Sequence, residues 1–116
     1  MSIVVTKNAA KETKLLDLGN GAEIEDVYQT DDEEKPITSG IFTVTKADAP
    51  FVYVYKYHEL KVILEGTLVL KDEATGVDIT ATAGDVIKIK KGTTVTFSSP
   101  DFGRAFYVGQ RAFHDW

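Results

Sequence analysis

The chain has 116 residues, 27% of them charged, and a formal net charge of −5, which is the size of one domain around one hydrophobic core. An acidic surface repels phosphate backbones, which argues against a nucleic-acid partner. There is no Cys, hence no disulfide framework, thiolate metal site or cysteine nucleophile, and the composition fits a reducing, cytoplasmic compartment.

In chain order, the first ten residues lack the charged start and long apolar run of a secretory signal. A weak helix candidate at 8–14 follows, and then nine short runs rich in β-branched and aromatic residues: 15–18, 23–29, 38–45, 51–57, 60–70, 77–81, 86–90, 94–98 and 104–109. Turn signals separate them, among them Gly19-Asn20-Gly21, Ala83-Gly84-Asp85 and Ser99-Pro100-Asp101. Many short strands with regular turns predict an all-β sandwich or barrel. The acidic run Asp31-Asp32-Glu33-Glu34 reads as a solvated loop, because like charges packed together repel. No apolar run reaches the roughly 20 residues needed to span a bilayer, so no membrane partner is expected. A second weak helix candidate, 110–116, ends the chain.

Alternation assigns faces. Tyr53, Tyr55 and Tyr57 share one face of their run, opposite Val54 and Lys56. Leu60, Val62 and Leu64 lie opposite Lys61 and Ile63, and the near-continuous apolar character there predicts a strand covered on both sides.

Two stretches carry a family resemblance. In 53–66, Glu59 and Gly66 keep the spacing of the first cupin motif, with Tyr53 and Tyr55 where that motif has its two His. In 84–95, Gly84-Asp85-Val86-Ile87 and Lys91-Gly92 match the second motif, with Lys90 in place of its Pro and Val95 in place of its His. The chain therefore resembles the cupins, and most of all their ethanolamine-utilisation, EutQ-like branch, from about Gly21 to Val108. Shared with that branch are the loss of metal histidines, an acidic pair ending the first motif and a Phe-Tyr-Val strand near the end. His58 departs from it, standing where the branch usually has an acid. The resemblance implies a single-domain jelly-roll barrel over 1–116, with a barrel core at about 21–109, an arm at 1–20 and a tail at 110–116. The apolar face Leu60/Val62/Leu64 and the aromatic tail lead to the expectation of a homodimer, since cupins commonly pair through sheet faces.

A cupin metal site would need His at Tyr53, Tyr55 and Val95, and of its four ligands only Glu59 remains. Metal independence and no cofactor are the expectation. On the same parity, Tyr53, Tyr55, Tyr57, Glu59, Lys61 and Ile63 face the barrel interior. Glu59 and Lys61 are then either a structural ion pair or a catalytic acid/base pair. As catalysts, Glu59 would be the base and Lys61 the acid, electrostatic partner or imine former, with tyrosine hydroxyls holding a carbonyl oxygen. Lys88 reads as an edge lysine or a group at the barrel mouth, and Arg104 as a carboxylate clamp or a surface residue. His58 is a rim proton shuttle or simply exposed. The aromatic tail, Phe113 to Trp116, is expected to dock on a partner subunit rather than to close the barrel.

Two functions follow. One is a metal-independent enzyme of small-molecule metabolism, of isomerase, dehydratase, cyclase or lyase type, with Glu59 and Lys61 catalytic and Tyr53, Tyr55, Tyr57, Lys88 and Arg104 binding the substrate. The other is a non-catalytic ligand-binding or accessory cupin, for example in an ethanolamine-type pathway.

Overall fold

Alternating apolar residues between Gly- and Asp-rich turns build nine strands and one short helix, and the computed structural model describes residues 2–116. The elements are α1 (Ala9–Glu12), β1 (Leu16–Gly19), β2 (Ala22–Gln29), β3 (Thr38–Thr45), β4 (Phe51–Val54), β5 (Glu59–Asp72), β6 (Val77–Thr82), β7 (Val86–Ile89), β8 (Thr94–Ser98) and β9 (Phe102–Gly109). All pairings are antiparallel.

The long strand β5 belongs to two sheets. Its first half pairs with β9 and β7 and completes the order β1-β2-β3-β9-β5-β7. Its second half pairs with β6 and with β8, which carries β4. A register shift between Ile63 and Glu65 and the left-handed backbone of Gly66 (φ 72°) turn the strand from one sheet into the other. A Cβ on Gly66 would stand 2.0 Å from the carbonyl oxygen of Phe102, so both its conformation and its neighbour require glycine. The two sheets roll into a nearly closed jelly-roll barrel, the cupin architecture that the resemblance implies.

Inward residues of both sheets form one core around Phe42, Ile63, Leu68, Phe97 and Tyr107. The acidic run at 31–34 is exposed, and Asp32 Oδ1 accepts the backbone N–H groups of Glu34 and Lys35 in a local turn.

Three expectations need correction. The run at 51–57 is a strand only as far as Val54, because the chain must bend through 55–58 to enter β5. The tail is not helical. The N–H groups of Phe113 and His114 go to the side chains of Gln29 and Asp26 instead of to preceding carbonyls. The outer face of β5 is not covered within the chain, since Leu60 is 50% and Leu64 41% exposed.

Candidate functional site

The site begins with the alternation along 53–63. Beyond Val54 the backbone leaves β4, yet Tyr55 N–H still donates to Thr93 O (2.9 Å) and Gly92 N–H to Tyr55 O (2.7 Å). The segment stays against the barrel, and the alternation runs on into β5. Tyr55, Tyr57, Glu59, Lys61 and Ile63 are buried and Tyr53 half-buried, while Lys56, His58 and Leu60 are exposed. Gly109 gives Tyr57 its room, since a Cβ there would lie 3.0 Å from the tyrosine ring.

Inside, Lys61 Nζ lies 3.1 Å from Glu59 Oε2, and their side chains are 2% and 3% exposed. Tyr55 donates its hydroxyl to the same oxygen at 2.6 Å. The Tyr53 and Tyr57 hydroxyls lie 3.1 Å apart in a hydrogen bond of their own. Burial first, and then the negative charge of Glu59, pushes the Tyr55 phenol well above its usual range. Tyr57 is shifted the same way by the same two causes. Near neutral pH these phenols are therefore donors and not bases.

A second buried cluster closes the barrel end, and sequence reasoning assigned it no role. Ala22, Ile24 and Asp26 point inward from β2. Arg111 from the tail meets Asp26 through both terminal nitrogens, NH1 and NH2, at 2.8 Å each. Tyr107 donates to Asp26 Oδ1 at 2.6 Å and the His114 N–H to Oδ2 at 2.7 Å. Burial alone would raise the pKa of Asp26; the bonds from Arg111, Tyr107 and His114 outweigh it and hold the carboxyl below the usual carboxylate range. Gly40 makes this possible, because a Cβ there would lie 2.1 Å from the Tyr107 hydroxyl oxygen. Thr38 donates its hydroxyl to Arg111 O at 2.6 Å. Pinned this way, the tail lays Trp116 against the core, with its ring 5.5 Å from the Arg111 guanidinium. Within its own chain Trp116 packs, half-buried, against the barrel core, whereas Phe113 stays 41% exposed.

Behind Trp116, a cavity of about 20 Å³ remains among Tyr53, Tyr55, Tyr57, Glu59 and Lys61. Two residues assigned to substrate are elsewhere. Lys88 pairs in register with Leu60 on the outer face and is exposed; the inward residues of that stretch are Ile87, opposite Lys61, and Ile89, opposite Glu59. Arg104 is also on the outer face, in an ion pair with Glu65 and 5.3 Å from the Phe102 ring centre. Both miss the interior because strand parity turns them outward, between Ile87 and Ile89 and between Gly103 and Ala105. His58 Nδ1 accepts the Lys91 N–H at 3.1 Å, which fixes the ring at the rim. Lys88 instead lines a groove of about 420 Å³ with His58, Glu59, Leu60, Lys90 and Val108.

The residues do not fit the metal that the fold commonly holds. Val95, at a ligand position, is buried and apolar, and the Glu59 oxygen is engaged by Lys61 and Tyr55. Among the described residues, no group of three or more His, Cys, Asp or Glu is placed to hold a metal ion.

The family model described as ethanolamine utilisation protein EutQ matches residues 1–116. The chain belongs to the EutQ family. A curated relative of this EutQ-family chain, the acetate kinase EutQ of Clostridioides difficile (strain 630), is 31% identical over 118 residues, covering 99% of this chain and 71% of the relative. The solved structure of the Clostridium difficile EutQ protein superposes with a TM-score of 0.68 at 26% identity, over 82% of this chain and 64% of that one. This chain thus spans just under two thirds of that solved EutQ chain. The polyketide cyclase RemF of Streptomyces resistomycificus superposes with a TM-score of 0.73 over 96% of this chain and 82% of its own, but at 16% identity it shares the fold alone. Among the described residues of this EutQ-family chain, no helix is long and apolar enough to cross a membrane.

Proposed function

We propose that this EutQ-family chain is a ligand-binding or accessory cupin of an ethanolamine-type pathway, and that its Glu59–Lys61 pair is structural. The observation that carries the reading is the interior volume. A catalytic acid or base must stand within hydrogen-bond reach of a reacting atom. The cavity beside Glu59 and Lys61 is about 20 Å³, room for about one water. A wider groove of about 420 Å³ runs along Leu60, Lys88 and Val108 and reaches Glu59 from the other side, but it does not include Lys61, which supports work done by the outer surface. The test is complementation of an ethanolamine-using bacterium that lacks its own EutQ protein. Glu59→Gln/Lys61→Met should support growth as wild type does. A double variant that is stably folded yet fails to support growth would overturn the structural role.

A second reading is supported by the curated relative, which carries the name of an enzyme, acetate kinase. In it, Glu59 is the base, Lys61 the acid or electrostatic partner, and Tyr53, Tyr55 and Tyr57 orient a carbonyl or carboxylate substrate. Trp116 must then leave the barrel mouth before anything enters. Acetate with ATP, and acetyl phosphate with ADP, are the first substrates to assay. Turnover by wild type that the folded double variant lacks would favour this reading over the first.

The homodimer is part of the proposal. Leu60, Leu64 and Phe106 form an apolar stripe on the outer face of β5 and β9, 50%, 41% and 37% exposed, and a second copy of the chain would cover it. Light scattering should give a dimer, and Leu60→Glu/Leu64→Glu a folded monomer. A monomeric wild type would remove the dimer and leave the rest standing.

A further inference from the structure

Lys61 is held in the manner of a bound ligand. Its Nζ lies 4.3 Å from the ring centre of Phe42, 5.0 Å from that of Phe97 and 5.6 Å from that of Tyr107. Those rings come from β3, β8 and β9, and the carboxylate of Glu59, at 3.1 Å, comes from β5. Ring faces attract a cation within about 6 Å of their centres. A buried carboxylate 3.1 Å from the Nζ supplies the full countercharge and can accept an N–H. Tyr55 fixes that carboxylate by donating to it, so the acceptor is pre-oriented. An aromatic box with one anchored carboxylate is the construction that recognises a small ammonium ion.

We propose that the barrel interior is a primary-ammonium site that Lys61 fills from within, as a tethered ligand. The residue sets its dimensions. Beyond Cβ, a lysine side chain is n-propylammonium. Ethanolammonium has the same chain length, with a hydroxyl where propylammonium has its methyl. Tetramethylammonium has no N–H for Glu59 and is the wrong shape. In the native chain the lysine excludes free amines, so the site opens only when that side chain is shortened. This inference rests on the reading of Glu59–Lys61 as a satisfied pair, and deepens it by naming the chemistry of the box.

The experiment is thermal melting of wild type, Lys61→Ala and Glu59→Gln/Lys61→Ala in n-propylammonium, ethanolammonium, tetramethylammonium or sodium chloride at equal ionic strength. Lys61→Ala should melt well below wild type. n-Propylammonium or ethanolammonium should raise its melting temperature by several degrees over sodium, and tetramethylammonium should not. Wild type and the double variant should show no such difference. If Lys61→Ala does not fold alone, the readout is recovery of its β-sheet circular dichroism on refolding with n-propylammonium. No rescue by either primary amine, equal rescue of the double variant, or a Lys61→Ala protein as stable as wild type would each overturn the site. None of these outcomes touches the accessory role, which the complementation with Glu59→Gln/Lys61→Met decides separately.

Discussion

Among the described residues the barrel holds two buried ion pairs, built in opposite ways. Glu59 and Lys61 are neighbours on one strand face, meet at one oxygen 3.1 Å away and are otherwise surrounded by aromatic rings. Asp26 and Arg111 lie 85 residues apart, meet through two bonds of 2.8 Å and draw in Tyr107 and the His114 N–H as well. The first pair orders the inside of an existing strand. The second ties β2 to the tail, and with it Trp116 to the barrel mouth. Removing the first should therefore weaken the core in place, whereas removing the second should free a segment.

The largest effect is expected from Asp26→Asn. It leaves the Arg111 guanidinium buried without a countercharge and weakens every bond the carboxylate accepts. The loss should fall toward the upper end of about 3–5 kcal/mol in urea unfolding. Trp116 is the only tryptophan, so its fluorescence reports the tail directly. In Asp26→Asn the emission should shift to the red before the β-sheet signal is lost. Lys61→Met comes next, toward the lower end of about 3–5 kcal/mol, because Tyr55 still donates to the stranded Glu59. Its Trp116 emission should follow global unfolding. If the two variants give the same fluorescence behaviour, the distinction between a core pair and a latch is wrong. Glu59→Gln/Lys61→Met leaves no orphaned charge and should lie within about 1.5 kcal/mol of wild type.

Acid sharpens the same contrast. The pKa of Asp26 is lower in the folded chain than in the unfolded one. Its contribution is therefore present above the ordinary carboxylate value and lost as pH falls below about 4 toward the folded value. The stability gap between wild type and Asp26→Asn should be widest near neutrality and narrow below about pH 4. A gap that widens in acid would reverse the sign and overturn the assignment. At the other end, Tyr55, Tyr57 and Tyr107 are shifted upward, Tyr107 by burial first and then by its bond to Asp26. What they contribute is full below about pH 10 and lost as pH rises through their folded values.

How much of this was readable in advance follows from period and distance. The inward series from Tyr53 to Ile63 was legible because a period of two survives the break at Val54, where backbone bonds to Thr93 and Gly92 hold the chain in place. Asp26 was half legible. It follows Ala22 and Ile24 on the inward face, but a lone inward acid does not name its partner. Arg111 carried no signal, since the tail has no strand period and its position depends on bonds to Gln29, Asp26 and Thr38. The same bonds explain why a helix was wrongly expected there. For Lys88 and Arg104 residue type left two positions open, and their own strands' alternation points them outward, the edge lysine and surface arginine of the two.

The smallest expected effect tests the faces themselves. Lys61 and Lys88 sit on paired strands one register step apart, for Lys61 lies opposite Ile87 and Lys88 opposite Leu60. The same substitution, lysine to methionine, then meets two environments. At Lys61 it removes a charge that a buried carboxylate depends on. At Lys88 it removes an exposed charge with solvent on one side, so stability should change by no more than about 0.5 kcal/mol. Because Lys88 borders the outer apolar groove, an added methionine enlarges the surface offered to a second copy, and self-association should hold or tighten. Urea unfolding and light scattering on the two variants side by side measure both quantities. A loss at Lys88 as large as that at Lys61 would mean that β7 pairs one residue out of step. A slip of one residue exchanges the faces of a strand, so Ile87 would then be outside and the second lysine in the barrel.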